Sequence, residues 1–400
     1  MVFRPSYRYE SEYQQRNTMS TKMSTLTTMT VTPVFRPLSR LISAAMVALA
    51  CLSASAEDHG KDGHYRQINL VSDLPGVAQL QDANLVNAWG ISFSSGSPFW
   101  ISDNGTGKAT LYAVTNDSSG MPTVVKQGLE VTIPGEGNPT GQLFNSTKAF
   151  HTNLFIFASE DGTISGWRGA LGTTAEVLAT RSTAIYKGIT LSSNTSGPLL
   201  LAANFAEGTI DAYDANLNLA GQFADPLAPA GYAPFNVQTI AGAVFVTFTV
   251  QDAAKHDDVS GRGHGLIDMF DPQTGTFHRF ATGSDAGGKI HEMNSPWGMA
   301  LSPASFGEHG DSLLVGNFGS GTIMAFDAAG KFQGLLEGHH GGPVTIDGLW
   351  GLAFGNGAKA GVPGTLYFTA GPAGESHGLF GSLEAVAKHD DDHDHGQDKH

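Results

Sequence analysis

Cysteine is almost absent from this chain: Cys51 is the only one in 400 residues, and it lies in an N-terminal apolar run. A disulfide framework is thereby excluded, so packing and closure must hold the fold. Long apolar stretches are missing too. The run from Leu41 to Leu52 falls short of the roughly 20 residues that span a bilayer, and no later stretch is long and apolar enough. Positive charge is scarce: 22 Lys and Arg face 37 Asp and Glu, a formal net charge of −15. Six of those basic residues precede Glu57, so the remainder is more acidic still. Nucleic acid and anionic membrane surfaces are disfavoured as partners, whereas cations, small ligands, glycans and basic proteins stay open. No HExxH motif, phosphate loop or nucleophile elbow supports a named reaction, and no nucleotide or flavin cofactor is indicated.

What is present begins with a targeting signal. Arg36 and Arg40 precede the apolar run, which ends at Ala54-Ser55-Ala56, the tripartite pattern of a secretory signal peptide with an A-x-A cleavage site. Residues 1–56 are read as signal peptide plus extension, with translation starting at Met19, Met23 or Met29 as alternatives. The mature protein is expected to begin at Glu57 and to be periplasmic or extracellular, with no membrane attachment after cleavage. Lipidation of Cys51 is the competing reading.

A repeat reveals the fold. Phe155 to Trp167, Leu199 to Tyr213 and Ser312 to Phe326 are one hairpin written three times, each with a polar turn ending in Gly-Thr-Ile. Looser copies run from Pro98 to Val114, from Phe245 to Phe270 with an insertion, and from Thr365 to Leu383. Before each lies a short strand opened by a paired motif: Trp89-Gly90, Thr140-Gly141, Lys187-Gly188, Asn236-Val237, Trp297-Gly298 and Trp350-Gly351. A period near 50 residues carrying short strands, without helical apolar spacing, is that of propeller blades. The glycines are read as turn residues that need positive φ. The prediction is an all-β, six-bladed β-propeller over residues 65–386, of NHL or gluconolactonase-like architecture. The last unit has only three clear strands, so Tyr65 to Val71 is expected to supply its fourth and remove the open edge. Residues 57–64 form a flexible His/acidic segment in this reading, and residues 387–400 a disordered His/Asp-rich tail.

Several strings carry a resemblance: Asn69 to Gly76, Leu85 to Ile91, Phe99 to Gly105, Gln251 to Asp258, Asn294 to Gly298 and Asp347 to Phe354. Through them the chain, from about Gln67 to Leu383, resembles an uncharacterised group of secreted bacterial β-propeller proteins, some of which end in a PEP-CTERM sorting tail. The resemblance implies no activity and no functional residue. This chain departs from the sorting-tail members by ending in His and Asp rather than in an apolar anchor.

In a propeller, the starts of the innermost strands and the ends of the next strands meet at one channel mouth. Asn104, Glu160, Asn204, Asp252 and Asn317 are therefore candidate ligands for calcium or another divalent cation, since carboxylates and amides are oxygen donors. Their alternative reading is as ordinary turn residues. Trp89, Asp103, Asn236 and Asp347 are candidates for ligand binding, with packing between blades as the alternative for the tryptophan. Lys187 and His256 are the catalytic candidates for a hydrolase, which would use Glu160, Asn204 and Asp252 as metal ligands. The insertion Lys255 to Gly265 is either a lid or a metal loop carrying His256, Asp257, Asp258 and His264. His59 and His64, with His389, His393, His395 and His400 in the tail, are either a soft-metal site or a solubilising segment. Two functions stay open: a ligand- or partner-binding scaffold, and a metal-dependent lactonase or esterase.

Overall fold

The computed structural model describes residues 63–283 and 292–386. They form six antiparallel sheets arranged as blades. Blade 1 comprises Ala88–Ser92, Phe99–Asp103, Lys108–Asn116 and Pro122–Thr132, and blade 2 Pro139–Phe144, Phe155–Ser159, Thr163–Trp167 and Glu176–Thr180. Blade 3 comprises Tyr186–Asn194, Gly197–Asn204, Thr209–Tyr213 and Leu219–Phe223, and blade 4 Tyr232–Ile240, Ala243–Val250, Leu266–Asp271 and Thr276–Thr282. Blade 5 comprises Pro296–Leu301, Leu313–Asn317, Ile323–Phe326 and Phe332–Leu335. Blade 6 takes Leu349–Phe354, Leu366–Ala370 and Leu379–Val386 from the end of the fold, and its outer strand His64–Ser72 from the beginning.

That outer strand is the expected closure. It runs antiparallel to the last strand, with Ile68 opposite Ser382, Asn69 opposite Gly381 and Val71 opposite Phe380. The strand begins at His64, so this histidine belongs to the ring and not to a flexible leader; its Nδ1 lies 3.2 Å from the Gly338 carbonyl oxygen. Two short parallel pairings fasten its ends, at Glu337–Gly338 and at Leu80–Gln81. The Tyr65 hydroxyl donates to the Phe306 carbonyl at 2.9 Å, tying the strand to blade 5.

The core is divided rather than central. Six apolar clusters each fill the space between two neighbouring blades. Consecutive residues of a middle strand serve different clusters: Leu200 and Ala202 join the core toward blade 2, and Leu199, Leu201 and Ala203 the core toward blade 4. Because side chains alternate across a strand, a blade buried on both faces is apolar at most positions of its middle strands. This is why a segment such as residues 199–203 reads as a continuous apolar run.

Each innermost strand breaks its ladder at the paired motif, between Ala88 and Ile91, Pro139 and Gln142, Tyr186 and Gly188, Pro234 and Asn236, Pro296 and Met299, and Leu349 and Leu352. The break corrects blade 4: the pair there is Phe235-Asn236, one residue earlier than the sequence suggested, because Asn236 stands where the other blades have glycine. The expected reason for glycine holds in the hairpin turns, where Gly162, Gly208 and Gly321 have positive φ, but not in the paired motif. Gly90, Gly141, Gly188, Gly298 and Gly351 are not among the positive-φ residues; a Cβ on each would come within 3.0 Å of the neighbouring inner strand, for example 2.8 Å from the Cα of Gly188 for Gly141. Crowding at the axis, not a turn, requires them. Among the described residues no helix is long and apolar enough to cross a membrane.

Candidate functional site

At the end of the channel where the inner strands begin, aromatic rings fill the axis. Trp89 and Trp350 stack with centroids 3.7 Å apart, Trp297 meets both edge-on, and Phe318 stacks on the other face of the group at 4.0 Å from Trp350. Phe205 and Phe235 complete this buried plug. Trp89 thus sits in packing, its face covered by Trp350.

Blade 3 places Lys187 where three other blades place tryptophan. Its side chain is 2 % exposed, and its ammonium lies 5.3 Å from the Trp89 ring centroid and 6.0 Å from that of Phe205. Such a buried cation needs counter-charge. Nζ pairs with Glu160 from blade 2 and, at 3.3 Å, with Asp257 from the blade 4 insertion. From Glu160 a chain of amides leads around the mouth. Asn104 Nδ2 donates to Glu160 Oε2 at 3.1 Å, and Asn87 Nδ2 donates to Asn104 Oδ1 at 3.2 Å and to Glu375 Oε2 at 3.1 Å. Asn87 is held by Trp350, whose Nε1 donates to its Oδ1 at 3.0 Å.

Glu375 is delivered by an unusual turn. Ala373, Gly374 and Glu375 all have positive φ, a conformation costly for residues with a Cβ. Asp347 holds the turn by accepting from the Ala373 amide at 2.8 Å. Burial pushes the Glu375 carboxyl up to about 7; Lys187 opposes the shift, while Glu160, Asp257 and Asp258 reinforce it. Asp257 behaves oppositely. Burial disfavours its charge, but Lys187 and His256 outweigh burial and hold it below the usual carboxylate range.

Ligand atoms of Glu160, His256 and Asp257 all lie within 4.8 Å of one another. The structure therefore brings together Asn104, Glu160, Lys187 and His256 from the sequence candidates. It uses the others differently. Asn204 donates to Glu207 and Asp211 within blade 3, at 3.1 Å each. Asn317 donates to the Glu292 carbonyl and to Thr322, and accepts from the Asn294 amide. Asp252 accepts from the amides of His256 and Asp257 and so shapes the insertion. Asn236 bridges blades by donating to the Trp297 carbonyl at 2.8 Å. Asp103 is fully buried beside Thr110 and Asp82 inside blade 1, away from the Glu160 cluster; burial raises its carboxyl well above the usual range. The insertion is fastened to blade 5, Asp258 accepting from Ser295 and the Gly261 amide donating to Asn294 at 2.6 Å. Its Asp257 reaches over Lys187, and Asp258 and His264 serve as anchors. The signal segment, His59, Cys51 and the tail histidines lie outside the described residues.

Sequence reasoning passed over Asn87, Asp257 as the partner of Lys187, and Glu375. Glu375 follows the second strand of blade 6, the same class of position as Asn104 and Glu160, which was the available signal. It also lies in Gly374-Glu-Ser-His-Gly378, a G-x-S-x-G string overlooked in the sequence. The strand Leu379–Val386 follows it directly, and Ser376 donates to the Ala373 carbonyl at 2.8 Å, so the strand–turn–helix context of a nucleophile elbow is lacking.

No protein-family model matches the chain. It is 30% identical over 305 residues to the uncharacterized protein R648 of Acanthamoeba polyphaga mimivirus, covering 71% of this chain and 72% of that one. The chain belongs to the family of R648. The uncharacterized mimivirus protein L690 is 27% identical over 335 residues, 78% of this chain and 84% of its own length. These relatives are viral and uncharacterised, and they lend no support to the secreted bacterial group or to a sorting tail. Similar solved structures include virginiamycin B lyase from Staphylococcus aureus with quinupristin (11% identity, 80% of this chain and 99% of that one, TM-score 0.45). A protein of unknown function from Bacteroides thetaiotaomicron is also similar (12% identity, 81% and 73%, TM-score 0.47).

Proposed function

We propose that this propeller is a binding protein whose channel mouth takes a small polar ligand through a divalent cation. The convergence of Glu160, His256 and Asp257 supports this reading. One imidazole and two carboxylates suit zinc, manganese or a similar ion better than calcium, which takes about six to eight oxygens. Lys187 is the rival occupant, because it already shares Glu160 and Asp257. The mouth still has room for positive charge: Glu160, Asp257 and Asp258 outnumber the Lys187 ammonium, and His256 and Asp257 are exposed. A cation there would leave positions open to a ligand carbonyl, carboxylate or hydroxyl. Export after cleavage near Ala56 is part of the same proposal, as is a small molecule, glycan or protein partner at the mouth.

Calorimetric titration of the purified protein with zinc and with manganese tests the reading. Glu160→Gln and Asp257→Asn should each weaken the mouth event by about tenfold or more, roughly 1.4 kcal/mol. The His-rich tail is common to all three proteins and contributes equally. Unchanged affinity in both variants overturns the cation site.

A second reading, a metal-dependent lactonase or esterase, is favoured by Glu375. The turn that carries it is strained, and strain at a functional group is a recurrent feature of reactive sites. A carboxyl that keeps its proton near neutral pH is suited to general acid–base work, which would make Glu375, rather than Lys187 or His256, the proton-handling group.

A further inference from the structure

The channel has a second half, beyond the aromatic plug. There the inner strands enclose a cavity of about 530 Å³ whose inner end is bordered by Trp297. Every blade contributes an apolar side chain to its wall: Phe93, Phe144, Leu191, Ile240, Leu301 and Phe354. Among the described residues no Asp, Glu, Lys, Arg or His lines it, although the chain is strongly acidic. Some polar groups of the wall are tied into it. Gln142 Nε2 donates to the carbonyls of Gly90 and Trp100 at 2.8 Å each, the Thr239 amide donates to Thr190 Oγ1 at 2.9 Å, and Thr239 Oγ1 donates to the Leu191 carbonyl at 2.8 Å. Ser92 Oγ and Gln142 Oε1 are buried without a hydrogen-bond partner among the described residues, and Gln238 is a half-buried amide near the lumen.

We propose that this half-channel is a second binding site, for an uncharged small molecule that carries both an apolar body and hydrogen-bonding groups. Its volume lies in the range of ligand pockets, roughly 300 to 1,000 Å³, and such pockets are mostly apolar with a few polar groups for orientation. A charged ligand would lose its hydration with no counter-charge in the wall, a cost of several kcal/mol or more. The plug separates this site from the mouth, so the two take chemically different ligands.

The test uses N-phenyl-1-naphthylamine, an uncharged fluorophore, with the purified protein. Its emission should rise saturably to one equivalent, with energy transfer from the tryptophans because Trp297 borders the cavity. Ala353→Phe and Gln238→Phe place bulk in the wall and should weaken binding by about tenfold or more, while Glu160→Gln and Asp257→Asn at the mouth leave it within about twofold. The anionic relative 8-anilino-1-naphthalenesulfonate should bind at least about tenfold more weakly. Absence of saturable binding or of energy transfer in the unmodified protein overturns the proposal, and that result stands even if a filling variant fails to fold. Undiminished binding in folded filling variants, or equal affinity for the anion, overturns it as well. None of these outcomes bears on the cation site.

Discussion

One set of six inner strands produces two channel ends of opposite chemistry. At the mouth, Lys187, Glu160, Asp257, His256 and Glu375 gather within a single cluster; past the plug, no ionisable side chain among the described residues lines the wall. The mouth groups sit at the bulge position and on turns that follow second strands, where the residue type differs from blade to blade, Lys187 taking the place that Trp89, Trp297 and Trp350 hold elsewhere. The far wall has no such freedom. Phe93, Phe144, Leu191, Leu301 and Phe354 also pack against the inter-blade clusters, and Ile240 belongs to one. A charge there would be buried between blades. The comparison teaches that in this ring the turns are free to carry chemistry, whereas the strands are committed to holding blades together.

The sharpest way to break the separation is to remove its divider. Trp350 touches Trp89, Trp297, Phe235 and Phe318, so Trp350→Ala leaves a large cavity on the axis and should cost about 3 to 5 kcal/mol in urea unfolding. A loss under about 1 kcal/mol would mean that the rings merely fill space that the blades can close. Lys187→Met comes next. It leaves Glu160, 10 % exposed, without its cation, and should cost about 2 to 3 kcal/mol, below the figure for a fully buried pair because Asp257 is open to solvent. Stability unchanged by that substitution would show that the mouth charges are screened and that the two ends differ less than the burial suggests.

The smallest effect concerns Glu375. Folded Glu375 keeps its proton to about pH 7, whereas an unfolded glutamate loses it near 4.5. The folded state binds more protons across that window, so stability is fully present below about 4.5 and falls as pH rises through about 7. Glu375→Gln should flatten the fall by about 1 to 2 kcal/mol, read from urea midpoints between pH 4 and 8. Superimposable profiles would remove Glu375 from the buried part of the site. The same variant, screened on lactones and esters, separates the two functional readings: hydrolysis lost with zinc affinity intact would turn the binding site into a catalytic one.

Much of the ring was legible in advance because its signals are local and repeated. Phe155 to Trp167 and its copies show strand, turn and strand in order, and the three-strand last unit called for the strand that begins the ring. Blade 4 misled by one residue because the glycine that marks the bulge elsewhere is Asn236 there, and the amide fills the crowded position by bonding to Trp297. The site was legible only in part. Asn104 and Glu160 occupy equivalent positions and do meet, yet Asn204 and Asn317, equally placed in their repeats, are engaged by Asp211 and Thr322 of their own blades. Equivalence in the repeat fixes where a side chain starts, not which neighbour takes its hydrogen bonds.

By itself, then, the amino-acid order determined the number of blades and the strand that closes them, because turn residues and alternation act over a few residues regardless of the path of the chain. Only the tertiary structure decided that Lys187 would be neutralised by Glu160 from one blade and Asp257 from another, that Glu375 would be buried enough to hold its proton, and that the tryptophans would divide the channel. Those outcomes depend on groups far apart in sequence arriving within a few ångströms of one axis, where loss of water makes each charge depend on its neighbours.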